Sequence, residues 1–442
     1  ETAHRLGRFD PITLRTESVA LRSIANAIED LEEVDDFEDE VDRTMLLDTI
    51  RADIIESTAQ ADAESGDPAV PVRHALEAIQ QGLARPEDED AEAALNDRIT
   101  ALPDFLASSR RDSRAAPDFL VWSACVAAQL LDDALLAAEE YVDTATVRPA
   151  QVALNEHLDW LRADDRTGGI AGVGEDVVEA RLATLSVSPG SVQGTLRVLE
   201  LRCTGIERGL VNAAEELGPG AWREQVASVR DTMTEPDFDE LTVVWADEWQ
   251  RVGEGLRALG LPVVGDEAPD PPTTPDDLAS LAAMAVRGHA VRMLAYAAAS
   301  QPRVVRQILV APGLLAGWGR TVAALLRGSP IFETPAQRLM LAHCALVDAA
   351  AAEADLLLQS RRATFAELVE RTHGIIGLDE PEARRVMHRV GELPFAALAA
   401  ALAHEGWQAW YAEVGGDPVD FVRHALKGGG LSVPLARWAL TR

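Results

Sequence analysis

Thr274-Pro-Asp-Asp-Leu-Ala-Ser-Leu-Ala-Ala-Met-Ala-Val-Arg-Gly-His-Ala-Val-Arg-Met-Leu-Ala-Tyr-Ala-Ala-Ala-Ser300 is the stretch whose reading decides the fold. Thr274 can cap a helix, Pro275 sits where its missing N–H costs nothing, and Asp277 lies three residues after the cap, near the positive end of the dipole. A helix is therefore expected here, with the rest of the chain organised around it.

On its C-terminal side the same logic repeats. Segments are expected over Arg303 to Val310 and Pro312 to Arg320, then one long helix from Pro335 to Ser360 whose Ala349 to Ala352 centre lets a neighbour approach closely. Thr364 with Glu367 forms a capping box, and Asp379 with Glu382, around Pro381, forms a similar start. Asp417-Pro418 opens the last substantial helix, which Gly428 to Gly430 stops.

On its N-terminal side, Leu261 to Thr274 is a Pro-rich linker preceded by a helix from Trp245 to Leu259. Ser188-Pro189 opens a long helix that closes at Glu216-Leu-Gly-Pro-Gly220. The glycine-rich run from Arg166 to Asp176 lacks a Walker lysine and the Gly-x-Gly-x-x-Gly spacing, so it reads as a helix-entry loop. Pro117 to Tyr141 is apolar nearly all round and is expected inside. Leu21, Ile24, Ile28 and Leu31 repeat as one buried helical face, and Met45, Leu46, Ile50, Ile54 and Ile55 continue in that style. Glu64 to Pro71 and Arg85 to Asp90 are hydrophilic breaks. The expected fold is all-α with little or no sheet. Its regions are 1–145 (N-terminal helical), 146–260 (helical middle), 261–276 (linker) and 277–442.

A net charge of −33, with Lys427 the single lysine among 40 basic residues, makes an acidic surface that repels nucleic acid and anionic lipid. Cys125, Cys203 and Cys344 are scattered and odd in number, the usage of a reducing compartment. No uncharged apolar run reaches about 18 residues, and the first 30 carry no basic-then-apolar leader, so a cytoplasmic location is the default expectation.

Asp35-Asp-Phe-Glu-Asp39 matches the Asp-Asp-x-x-Asp pattern that binds magnesium and diphosphate in helical prenyl-transferring enzymes; in so acidic a chain it reads as a solvated loop. A Gly-x-Ser-x-Gly elbow is absent.

With Ala316-Gly-Trp318 and the C-terminal third, the stretch 274–300 resembles the zinc-motif helix of a bacterial family known only as domain of unknown function 885, whose helical fold is similar to that of thermostable Taq-type carboxypeptidases. Members carry His-Glu-x-x-Pro-Gly-His-His. Aligned on Gly288-His289, the first His falls on Ala283, the Glu on Met284, the Pro on Arg287 and the last His on Ala290. The family's Glu-Gly-Trp reads Ala316-Gly317-Trp318, and a methyl group cannot ligate a metal. Its Asp-Thr-Gly-x-His survives as Asp355 with Gln359, and its Arg-Tyr…Pro-Gly-Gln-Ala run as Arg389-Val390…Pro394-Phe395-Ala396-Ala397.

The resemblance therefore implies a pseudo-peptidase with His289, Trp318, Asp355 and Arg389 as relict cleft residues, no catalytic residue, and none of the family's zinc. A peptide, small molecule or protein would occupy the cleft. Nucleic acid and membrane are excluded as partners, and a homodimer is one assembly to test. Two alternatives stand beside it: a metal-dependent hydrolase rebuilt around His289, Asp355 and Arg389, and a structural or interaction subunit. His343, His388 and His404-Glu405 are further candidates for a rebuilt site, without a His-x-x-x-His or Glu-x-x-His pair to support them.

Overall fold

A computed structural model describes residues 6, 11–31, 36–62, 67–84, 89–112, 115–163, 168–185, 190–231, 238–271 and 279–441. They form helices and connecting loops with no strand among the described residues, so the chain is all-α. In order these are α1 (Pro11–Glu29), α2 (Phe37–Asp62), α3 (Ala69–Leu83), α4 (Glu89–Asp112), α5 (Asp118–Ala138), α6 (Thr144–Leu161), α7 (Glu175–Thr184), α8 (Val192–Glu215), α9 (Trp222–Asp231) and α10 (Phe238–Ala258). They continue as α11 (Leu281–Ala299), α12 (Val304–Ile308), α13 (Pro312–Leu325), α14 (Pro335–Gln359), α15 (Phe365–Ile376), α16 (Glu380–Glu392), α17 (Ala396–Val414), α18 (Pro418–Ala425) and α19 (Val433–Leu440).

Two compact units result, and their borders differ from the four regions expected. One comprises residues 1–26 and 53–177, the other 27–52 and 178–442. Residues on both sides of 145/146 share a core, α6 supplying Val147, Leu154 and Leu158 to the cluster that holds Leu95, Ile99, Leu102 and Leu106 of α4. In the second unit Val41 and Met45 of α2 pack in one core with Trp245, Trp249, Trp318, Trp407 and Trp410.

In the first unit, α5 buries one face only. Phe119, Ala124, Ala128, Leu131 and Leu135 are inside, while Trp122, Leu130 and Leu136 are about half exposed, so the expectation of all-round burial is corrected. By length and composition α5 could cross a membrane, and half of its most apolar window is buried in the unit. The buried side of α1 is also displaced from the one expected. It runs through Leu14, Ser18 and Ala25, and Ser18 meets Thr58 of α2 at 3.2 Å, whereas Ile24 faces solvent; Leu31, also exposed, lies beyond the end of α1.

In the second unit, small residues set the spacing. A methyl added at Gly317 of α13 would come within 2.6 Å of Ala403 Cβ and 2.7 Å of the Ala400 carbonyl on α17, and one at Gly313 within 2.7 Å of Ala399. Backbones this close leave room for a glycine and nothing larger. The capping boxes at Thr364/Glu367 and Asp379/Glu382 form as the sequence indicates, and a third forms at Thr334/Gln337. The expected cap at Thr274, Pro275 and Asp277 lies outside the described residues, and α11 is seen from Leu281. Of the linker, Leu261 is buried in the core and the Pro269 carbonyl accepts from Trp245 Nε1 at 2.7 Å, so this segment is packed against α10. Past Gly428 a further helix, α19, follows; the Gly428 to Gly430 stop is a turn between helices.

The acidic segment is tied down rather than loose. Asp36 and Asp39 pair with Arg303, and Asp42 with both Arg303 and Arg306, the latter at 2.6 Å. Glu38 adds a contact of 2.7 Å to Arg306. Three of the motif's acids are thus engaged by arginines; Asp35 lies outside the described residues.

Candidate functional site

The second unit holds a cavity of about 290 Å³ between α8, α11, α13, α14 and α17. Ligand sites commonly span roughly 300–1,000 Å³, so this one suits a small molecule. Gly205 and Gly209 on α8, Ala342, Ala345 and Ala349 on α14, and Ala401 on α17 leave the space, and a methyl at Gly205 would meet nothing within 4 Å.

Four arginines converge on it. Arg202 comes from α8, Arg287 from α11, Arg320 from α13, and Arg327 from the turn after α13. Asp348 of α14 bridges two of them, at 2.8 Å from Arg287 and 3.1 Å from Arg320. Glu405 pairs with Arg202. Among the described residues no carboxylate pairs with Arg327, and Arg320 Nη1 and Arg287 Nε are buried without a hydrogen-bond partner. Four guanidiniums therefore face two carboxylates, a local excess of positive charge in a chain of net charge −33.

Electrostatics follow the geometry. Burial, then the Arg320 charge acting against Asp348, pushes Arg202 down to about 10, so it stays charged at neutral pH. Burial and then Arg202, Arg320 and Arg287 hold His404 well below the usual imidazole range, so it is neutral. Its Nδ1 lies 2.8 Å from Thr321 Oγ1, whose hydroxyl donates to the Gly317 carbonyl at 2.8 Å. The hydroxyl proton being used, the hydrogen-bond pattern assigns the imidazole proton to Nδ1.

The four residues singled out from sequence occupy separate environments, and none lines this cavity. His289 is 1% exposed, stacks on Trp249 at 3.8 Å and donates from Nε2 to the Trp249 carbonyl at 3.0 Å. Trp318 is fully buried edge-on to Trp407, at 4.9 Å. Asp355 accepts from the Phe395 and Leu398 N–H groups at the start of α17, and Arg389 is exposed on α16. Of the other histidines, only His404 lines the cavity. His343 donates to the Ile376 carbonyl at 2.9 Å.

Ala283 and Ala290 are buried methyls, the His289 ring is closed off by Trp249, and no three His, Cys, Asp or Glu side chains among the described residues could hold a metal. Burial and then Glu353 push the Cys203 thiol up to about 12, which keeps it protonated at neutral pH.

The arginines escaped the sequence reading because they stand at 202, 287, 320 and 327 with no common period. One signal was present: Arg320 is the single charge in α13, and Arg287 is one of two arginines in an otherwise largely apolar α11, and a charge at such a position needs a reason.

No family model matches the chain, and no curated protein matches it. Among solved structures it is similar to a protein of Shewanella oneidensis assigned as a lipoprotein of unknown function, at 12% identity and a TM-score of 0.75, covering 100% of this chain and 94% of that one. It is also similar to a protein of Colwellia psychrerythraea assigned as a lipoprotein, at 12% identity and a TM-score of 0.73, covering 99% and 92%. At this identity the likeness shows the fold alone.

Proposed function

We propose that the chain is a non-hydrolytic binding protein, a pseudo-peptidase of the domain-of-unknown-function 885 type that takes a small ligand in the cavity between α8, α11, α13, α14 and α17. The observation carrying this reading is the cavity's lining: four arginines, small and aliphatic residues, one aspartate and a neutral histidine, a set suited to holding an anionic group. The replaced motif positions Ala283, Met284, Arg287 and Ala316 support the same reading. Metal analysis of the purified protein by mass spectrometry, with zinc titration of wild type and His289→Ala, tests it. Substoichiometric zinc in both is the expected result; stoichiometric zinc that disappears in the variant would overturn it in favour of a rebuilt hydrolase.

The Shewanella and Colwellia proteins are assigned as lipoproteins, which favours an exported setting for this chain over the cytoplasmic one suggested by the scattered cysteines. Fractionation of cells making the natural protein decides between the two.

A further inference from the structure

We infer that the cavity lined by Arg202, Arg287, Arg320 and Arg327 is a binding site for a small dianion, a molecule carrying two carboxylates or a phosphoryl group. This rests on the binding reading above and names the ligand class for the same site.

Charge is the first argument. Two guanidinium charges in excess of the carboxylates, enclosed by apolar and small residues, are costly unless an anion completes them. The rest of the chain is strongly acidic, so this concentration of arginine is not a by-product of a basic composition.

Donor geometry is the second. Guanidiniums reach in from three helices and a turn, and a planar fork of N–H groups matches carboxylate and phosphate oxygens. Asp348, already bridging Arg287 and Arg320, occupies part of the position an incoming anion would take. It acts as an internal competitor. Arg327, half-buried and without a carboxylate partner among the described residues, is the charge most available to a ligand.

Size is the third. About 290 Å³ holds a pyrophosphate or a short dicarboxylate, and excludes a folded peptide.

The test is calorimetric titration of the full chain with inorganic phosphate, pyrophosphate and succinate, each against sodium chloride at matched ionic strength. Saturable binding of at least one probe is expected. A response to the phosphates alone identifies a phosphoryl ligand, and a response to succinate alone a dicarboxylate. Arg327→Gln should weaken binding about tenfold, the loss of one charge-assisted hydrogen bond, with the melting temperature unchanged. Gly205→Leu, which grows into open space, should fold and block binding. Asp348→Asn should tighten binding, an outcome that a purely structural role for the arginines does not produce. No binding beyond the chloride control, or binding indifferent to Arg327→Gln and Gly205→Leu, overturns the inference. Stoichiometric zinc or peptide hydrolysis with anion binding intact would instead remove the non-hydrolytic reading and leave this one standing.

Discussion

Asp355, deep in α14, caps α17 from a distance: its two carboxylate oxygens accept from the backbone N–H groups of Phe395 and Leu398 at 3.1 and 3.2 Å. Burial dominates over these bonds and pushes the carboxyl up to about 7, from an ordinary value of 3.8. A folded-state value above the unfolded one means the fold holds a proton that the unfolded chain releases. The resulting stabilisation is fully present below about pH 4 and is lost as pH rises through about 7. Measured against Asp355→Asn by urea unfolding, wild type should lose roughly 2–3 kcal/mol of relative stability between pH 5 and pH 8. A constant difference over that range would remove Asp355 as the source.

His157 has the opposite sign. Both ring nitrogens are buried without a partner among the described residues, the ring lies 5.1 Å from that of Trp160, and burial, then Arg110, pulls it down to about 4. Its stabilising contribution is present above the unfolded value of 6.5 and is lost as pH falls from there towards 4. His157→Phe keeps a ring against Trp160 and removes two orphaned polar atoms. It should gain about 1 kcal/mol at pH 7 and more at pH 5, by chemical denaturation.

Gly317→Ala should cost roughly 1–3 kcal/mol, because the new methyl would press on Ala403 and the backbone of α17. Gly205→Ala, facing open space, should be neutral or slightly stabilising. Thermal unfolding of the pair separates a glycine needed for close approach from one that only leaves room.

Arg306→Ala leaves Asp42, in the second unit's interior, without its main partner. Its side chain is only 12% exposed, so a loss of about 3 kcal/mol is expected, with faster hydrogen exchange across residues 37–45. Arg287→Gln makes a second comparison. It should leave residues 37–45 protected, since Arg287 pairs with Asp348 instead.

Helix starts were the most legible feature of the sequence. Thr364/Glu367 and Asp379/Glu382 state their chemistry within four residues, and the structure forms both boxes. Burial was less legible. Ile24 looked like part of an apolar face, but the buried stripe of α1 passes through Ser18, because the side of a helix that is covered depends on what lies opposite. The candidate site was least legible. Its charges come from segments far apart in sequence; Arg287 and Arg320 stand out in largely apolar helices, whereas Arg202 sits among other charges of α8 and Arg327 in a turn.

The chain passes between its two units three times, near 26/27, 52/53 and 177/178. During synthesis, residues 27–52 emerge long before Trp245, Trp249 and the C-terminal helices that share their core. Val41 and Met45 must therefore wait, solvated or in temporary contacts, until the other end of the polypeptide is made. Completion of the second unit is a late event that joins residues 27–52 to segments beyond 178, and removing either piece strips part of the same core.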